Sequence, residues 1–527
     1  MLARDRLGIR PLHYTIQNKM LLFASEIKSI FMCEHISREI DPYAMHQIFT
    51  FWTTLPSHTV FKNIHELPPG HFLKISKHST HIRKYWDIPF YPPDMQLDTP
   101  DDQIKEAIRE LLTDAIRIRL RADVPVGCYL SGGLDSSGVT TLVARYFNNK
   151  VHTFGICFEE EAFDESEHQS SMVSFLDTPH SELMATNSKI EASFPDVLWY
   201  CEKPLLRTAP TPLYLLSEMV NQHGLKVVLT GEGADEVFGG YNIFKEAKIR
   251  HFWAKQPHSR FRGLLIRKLY PYIFNDPRLQ RMQLSFFAKG LDKVNDPFFS
   301  HSIRWENTGR IKRFFSRELL QAHSNPDREY EQLMALIPPS FSQWDYLAKA
   351  QFWEMVIFLS NYLLSSQGDR VAMGHSVEIR LPYFDYRIID SMARVPAALK
   401  MKCLNEKYIL KESFRGIVPD TIVNRPKHPY RAPIIPSLLK AQTSGYVYEM
   451  LSMDALKNAG LFDPVKVQKL VDKLQKTEKT GEIDSMAFVG ILSSQIIYDT
   501  FIVHFPLHSI PSLAPAHIVD KRSTREN

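Results

Sequence analysis

The chain of 527 residues is 44% hydrophobic and 23% charged, which suits two to three domains, each able to bury a substantial core. Its formal net charge of +4 is small for this length and supplies no argument for nucleic acid or an acidic membrane surface as a partner. The five cysteines, Cys33, Cys128, Cys157, Cys201 and Cys403, are widely scattered without a C-x-x-C pair, a pattern of reduced cytosolic thiols and not of structural zinc.

In chain order, Met1-Leu2-Ala3 reads as the middle of a strand, and Arg4, Asp5 and Arg6 do not resemble a signal peptide. No apolar run approaches the length of a membrane span, so a cytoplasmic location is expected. The proline-rich stretch from Pro89 to Pro100 separates a first segment, 1–90, through a linker at 91–100, from a long α/β region at 101–505. Ile104, Ile108, Leu111, Leu112, Ala115 and Ile118 recur at helical spacing after Asp101 and Asp102. Short apolar runs at Val126–Leu130, Val151–Phe158 and Lys226–Leu229 predict buried strands of a parallel sheet, with a helix over Val139–Phe147. Glu165–His180 stands where a further helix is needed, yet Ser166, Ser170, Ser171 and Ser174 lower its propensity. Thr211 and Pro212 read as an N-cap and the opening of a helix. Residues 245 to 365 are expected to be mostly helical, with Phe252, Trp253, Trp344, Phe352 and Trp353 in the core. His375 is expected to make ordinary hydrogen bonds, and Pro506 to Asn527 reads as a loosely ordered tail.

Two loops carry the chemistry. Ser131-Gly132-Gly133-Leu134-Asp135-Ser136-Ser137 joins a strand to a helix, where backbone N–H groups converge on one spot and glycines let the backbone come close to a pyrophosphate. No G-K-[ST] follows, so transfer of a terminal phosphoryl group is not the expected reaction. Asp135 offers an oxygen to Mg²⁺. Leu229-Thr230-Gly231-Glu232-Gly233-Ala234-Asp235-Glu236 follows a second strand and brings Asp235 to share that ion, with Glu232 as a proton acceptor if its pKa is raised. A third stretch, Gly368 to Asp385, alternates acids and arginines with apolar residues, as a partly buried polar network would. A fourth, Arg425-Pro426-Lys427-His428-Pro429-Tyr430, holds Lys427 between prolines as a fixed cation.

In this order the four segments, S-G-G-L-D-S-S, L-T-G-E-G-A-D-E-V-F-G-G-Y, D-R-V-A-M-G-H-S-V-E-I-R-L-P-Y-F-D and R-P-K-H-P-Y, resemble the asparagine synthase family from about residue 1 to about residue 440. The resemblance implies an α/β fold, a parallel-sheet ATP-pyrophosphatase (PP-loop) synthetase domain with helical additions, preceded by a partial β-rich glutaminase domain of the N-terminal-nucleophile type. It implies ATP and Mg²⁺ as cofactors and aspartate and ammonia as substrates, the β-carboxylate being activated as an adenylate that ammonia attacks. Matched residue by residue, Leu130, Ser131, Gly132, Gly133, Asp135, Ser136, Gly231 and Gly233 would bind the nucleotide, and Asp135 and Asp235 the metal. Glu232 and Lys427 would be catalytic, and Asp369, Arg370, Glu378, Arg380 and Asp385 would hold aspartate or its supporting shell.

The first segment departs from that family. Ala3-Arg4-Asp5-Arg6-Leu7-Gly8-Ile9-Arg10-Pro11-Leu12 and Leu67-Pro68-Pro69-Gly70-His71 resemble late parts of the glutaminase domain, but position 2 is leucine where the family has its nucleophilic cysteine. Cys33 reads as a small apolar filler. Glutamine hydrolysis is therefore expected to be absent from this sequence, with glutamine as the nitrogen source only of a longer gene product. Two alternatives stay open: a ring-closing or peptide-modifying adenylating relative, against which Glu232 argues because ring-closing relatives carry tyrosine there, and a decayed nucleotide-binding partner subunit. No nucleic-acid or membrane partner is expected, and a homodimer is left open.

Overall fold

Residues 1–90 form two small antiparallel sheets. In chain order their strands are β1 (Leu2–Ala3), β2 (His13–Gln17), β3 (Met20–Ala24), β4 (His65–Glu66), β5 (His71–Ile75) and β6 (Thr80–Lys84), paired β1-β5-β6 and β3-β2-β4. Asn18 and Lys19, with φ of 52° and 62°, make the two-residue turn between β2 and β3 whose twist suits a hairpin. Five parallel strands follow, β7 (Val126–Tyr129), β8 (Thr153–Phe158), β9 (His180–Ala185), β10 (Val227–Leu229) and β11 (Glu378–Arg380), in the spatial order β11-β10-β7-β8-β9. The computed structural model describes residues 1–76, 78–147, 151–270, 274, 278–322, 327–441, 445–477 and 480–507, so almost all of the expected tail lies outside the described residues.

The parallel sheet is apolar because helices cover both faces. The helix Asp101–Arg119 buries Ile104, Ile108, Leu112, Ala115 and Ile116, while its acids in the first turn and arginines in the last suit the helix dipole. Leu134–Tyr146 begins five residues before the expected Val139, which moves Asp135 and Ser136 out of the loop and into the first helical turn. Phe414 packs so closely on that helix that a Cβ at Gly138 would lie 2.3 Å from its ring. The serine-rich stretch does form a helix, Ser166–Leu176: fully buried Met172, and Gln169 donating to the Ile156 carbonyl at 2.8 Å, outweigh weak propensity.

Three other expectations are corrected. Phe252 is 43% exposed and not in the core, its ring covered by Arg262, whereas Trp253, Trp344, Phe352 and Trp353 are buried. Pro210, not Pro212, opens its helix, so Thr211 sits within the first turn with its hydroxyl buried and unpartnered instead of capping. The helical stretch Glu482–Val503 is long and apolar enough to cross a membrane, but 72% of its most apolar window is buried inside the protein. His375 does make an ordinary hydrogen bond, its Nδ1 lying 3.0 Å from the Ser217 hydroxyl. The proline-rich stretch is pinned down: the Leu97 N–H donates to the Arg394 carbonyl at 2.8 Å, and the Phe90 ring lies 4.8 Å from that of Trp344.

The first segment shares its core with the remainder of the chain, since Phe31 and Phe49 lie in one apolar cluster with Phe194, Leu198, Phe488 and Phe501. Its polar tie is Glu202. This carboxylate, 1% exposed, accepts the Ile27 and Lys28 N–H groups at 2.8 and 2.7 Å, capping the helix Ile27–Phe31, and accepts Arg370 Nη1 at 2.7 Å. Arg370 donates onward to the Cys201 carbonyl at 3.0 Å and to His13 Nε2 at 2.9 Å. His13 is neutral, because burial and then Arg370 push its pKa well below the ordinary value. Glu202→Ala would leave Arg370 as an uncompensated buried charge; we expect a loss of about 3–5 kcal/mol, read in urea unfolding, with the 1–90 segment more sensitive to limited proteolysis.

Candidate active site

The strands β7 and β10 are neighbours, and the chain leaves β7 for β8 on one side and later returns to β10 on the other. Ligands of open parallel sheets bind at such a switch point, outside the carboxyl ends of the strands. Both glycine-rich loops start there. The Leu130 N–H is still bound to the Phe154 carbonyl at 2.8 Å, and the chain then turns at Gly132, where φ is +68° and a Cβ would lie 2.6 Å from the His168 backbone. Ser136 Oγ accepts the Ser131 N–H at 3.1 Å, closing the turn over the N-terminus of Leu134–Tyr146, whose first N–H groups have no intrahelical partners. At Gly231 a Cβ would be 2.4 Å from the Ser136 nitrogen, so the two loops meet backbone to backbone. Gly233 turns with φ of +100° against Phe384.

This contact brings Asp135 and Asp235 together around one ammonium group. Lys407 Nζ donates to both Asp135 oxygens and to Asp235 Oδ1, each at 2.8 Å, and Lys427 Nζ lies 2.6 Å from Asp235 Oδ2. Burial opposes ionisation of Asp235, but Lys407 and Lys427 overcome it and hold its pKa below the usual carboxylate range. Burial would likewise discharge Lys407, and the two aspartates keep it charged. Glu406, the residue before Lys407, accepts the Lys427 N–H at 3.0 Å, so adjacent side chains position both lysines. Lys407 is the functional group that the sequence reading missed. It sits at φ of +50° before the short helix Tyr408–Phe414, with no glycine, proline or motif spacing to mark it.

A cavity of about 1460 Å³ opens over this edge. Leu130, Ser131, Asp135, Ser136, Gly231, Glu232, Gly233, Asp235 and Lys427 all line it, while Gly132 and Gly133 shape the turn without reaching its wall. Glu232 Oε2 is enclosed there without a hydrogen-bond partner, and burial, then Glu236, push the Glu232 pKa up to about 8. The neighbouring chain is wound wide: the N–H groups of Leu364 and Asp369 bond five residues back, and the Cβ position of Gly368 is 3.6 Å from Glu232 Oε2.

The five residues expected to hold aspartate or its supporting shell do not line this cavity. Asp369 is paired with Arg10, and Arg370 with Glu202. Arg380 donates to Glu378 at 2.8 Å and to the carbonyls of Arg119 and Arg121 at 2.6 and 2.8 Å, and Glu378 is 3.4 Å from Arg10. Asp385 caps the helix Tyr386–Ala393 and accepts Arg119 and Arg387, both at 2.9 Å. All five take part in ion pairs: Arg10 ties Asp369 and Glu378 to the first segment, Arg119 ties Asp385 to the helix Asp101–Arg119, and Arg370 and Arg380 pair with Glu202 and Glu378.

A family model described as asparagine synthase matches residues 107–494. The chain belongs to the asparagine synthase family. Residues 1–86 match a glutamine amidotransferase domain. Among family members, the chain is 29% identical over 433 residues to asparagine synthetase (glutamine-hydrolyzing) 1 of Bacillus subtilis (strain 168), covering 82% of this chain and 65% of that protein. It is also 29% identical over 464 residues to amidase chry2 of Gibberella zeae, covering 82% and 67%, and 27% identical over 493 residues to asparagine synthetase (glutamine-hydrolyzing) 3 of B. subtilis, covering 90% and 71%. The chain thus spans about two thirds of the length of these relatives.

Two outcomes follow from the geometry. Gly231→Ala should force apart two backbones that cannot yield, and weaken ATP affinity at least tenfold in calorimetry with little change in far-UV circular dichroism. Glu232 binds a proton in the folded state between its ordinary 4.5 and about 8 that the unfolded chain has released, so its contribution to stability falls as pH rises through that window. Glu232→Gln removes this dependence: its melting midpoint should approach that of the wild type near pH 5 and exceed it by a few degrees near pH 9.

Proposed function

We propose that the chain is an ATP-dependent carbon–nitrogen ligase that activates a carboxylate as an adenylate, releases pyrophosphate and forms an amide with ammonia, aspartate and asparagine being the pair that family membership suggests. The observation that carries this reading is the pair Asp135 and Asp235, held around Lys407 on touching loops at the edge of one sheet. The donor set fits Mg²⁺, since two carboxylates facing a cavity suit an ion that takes one or two protein oxygens and completes its shell with phosphate and water. Bound there, Mg²⁺ would neutralise charge on the departing pyrophosphate. The first turn of Leu134–Tyr146 would cradle the pyrophosphate with its free N–H groups. A substrate carboxylate oxygen attacks the α-phosphorus and the bond to the β-phosphate oxygen breaks, with Lys427 positioned to offset the charge that builds up. Ammonia then attacks the acyl carbon, AMP leaves, and Glu232, in its ionised form, accepts the proton that the nitrogen sheds.

The relatives named amidase match this chain about as well as those named asparagine synthetase, which favours an acid other than aspartate as a second reading of the same chemistry. The test is release of pyrophosphate and AMP from ATP and Mg²⁺ with aspartate and either ammonia or glutamine. Equal amounts of AMP and pyrophosphate support the proposal, and ADP with phosphate contradicts it. Lys427→Met should lower the turnover number by about 10²–10³, with a smaller change in the KM for ATP.

A further inference from the structure

Charge is not spread evenly along the chain. Residues 247–291 hold ten Lys and Arg and one acid, Asp276, whereas the 527 residues together carry a net charge of only +4. The overall balance hides a strongly basic unit. In the fold it consists of the short helices Asn242–Ala254, Ile266–Leu269 and Gln280–Phe287 and the turn Arg262–Leu265, built around an apolar cluster of its own that includes Trp253, Ile266 and Phe287. Lys255, Arg260, Arg267, Lys268 and Arg281 are exposed, and none of them is paired with a carboxylate among the described residues. Large apolar side chains stand among these cations. Phe261, between Arg260 and Arg262, is 79% exposed and Met282 is 64% exposed, and Leu264 and Leu279 are exposed as well. Leu279 and Met282 are three residues apart and share one face at the start of the helix Gln280–Phe287, which packs against the turn that bears Leu264. The loop that carries Phe261 is not slack. The Trp253 indole N–H donates to the Pro257 carbonyl at 3.1 Å, a Cβ at Gly263 would lie 2.6 Å from the Trp253 ring, and Arg262 Nη1 donates to the Phe252 carbonyl at 2.7 Å. Contacts on both sides of Phe261 thus hold its ring out in solvent, where an apolar group fixed among others marks an interaction surface.

We infer that the outer face of this basic unit docks on an anionic lipid membrane. Phe261, Leu264, Leu279 and Met282 enter the boundary between headgroups and acyl chains, and the Lys and Arg side chains beside them meet acidic headgroups, the pattern of a protein that lies on a membrane without crossing it. Charge alone would suit nucleic acid equally, and the apolar groups decide between the two. Three of the four are aliphatic and offer no plane on which a base could stack. They also project singly from a loop and a helix face between cations, unlike the lysine-poor apolar centre of an interface with another protein. None of these side chains lines the cavity, so the inference stands apart from the ligase reading.

The test is co-sedimentation of the full chain with vesicles of phosphatidylcholine alone and of phosphatidylcholine with one quarter phosphatidylglycerol. We expect partitioning onto the anionic vesicles to be at least tenfold stronger, and to fall at least fivefold when salt is raised from about 0.1 M to about 1 M. Phe261→Ser combined with Met282→Ser should lower it at least fivefold, and Arg260→Glu combined with Lys268→Glu at least tenfold. Both variants should keep the wild-type affinity for ATP and far-UV circular dichroism, since all four side chains are exposed. Equal partitioning onto the two kinds of vesicle, or either variant partitioning as the wild type does, would overturn the inference. Tighter binding to single-stranded RNA or to polyglutamate than to the anionic vesicles would overturn it too, with nucleic acid or an acidic protein as the partner instead.

Discussion

Two ionised carboxylates buried side by side need cations to hold them, and in this protein Lys407 holds Asp135 and Asp235. Its ammonium contacts Asp135 and Asp235 together, Lys427 takes the remaining oxygen of Asp235, and Glu406 fixes the backbone of Lys427. The two aspartates are offset by the two lysines, and Glu406 is paired in turn with Lys245 and Lys411. The backbone contact at Gly231 sets the distance between the loops, and the parallel pairing of β7 with β10 sets their direction.

Much of this was legible in the sequence because backbone chemistry leaves a local mark. Two strands that end in glycine-bearing turns and open into helices, at Ser131-Gly132-Gly133 and at Gly231-Glu232-Gly233, require glycines at Gly132, Gly231 and Gly233 for reasons that any three-dimensional setting preserves. Three of the five parallel strands, β7, β8 and β10, were readable as short apolar runs and the helix Asp101–Arg119 from its spacing, whereas β9 and β11 were not. What was not legible depends on partners distant in the chain. Lys407 is an ordinary lysine until the fold places it between residues 135 and 235. The acids and arginines of residues 369–385 look like a binding motif, yet Arg10, Glu202 and Arg119 satisfy them. The helix at 166–176 is made by burial that its serines cannot announce, and Phe252 stays 43% exposed with Arg262 over its ring.

The first segment does more than precede the synthetase region. Glu202 and Arg370, themselves a buried ion pair, tie it down through hydrogen bonds to the Ile27 and Lys28 N–H groups and to His13, a shared apolar core seals the seam, and Trp52 from this segment reaches the wall of the cavity. A buried pair of this kind contributes little net stability and costs much when broken. Its effect is to fix the position of one part of the chain against another, and here that fixes the far wall of the site relative to Asp135.

If Lys407 makes the two aspartates a single unit, their effects on nucleotide binding are not independent, and a double-mutant cycle measures this directly. Calorimetry of ATP with Mg²⁺ on Asp135→Asn, Asp235→Asn and the double variant should show each single change weakening binding strongly and the double change adding little more. Losses that add in full, or single variants that bind ATP as the wild type does, would contradict the shared-site account.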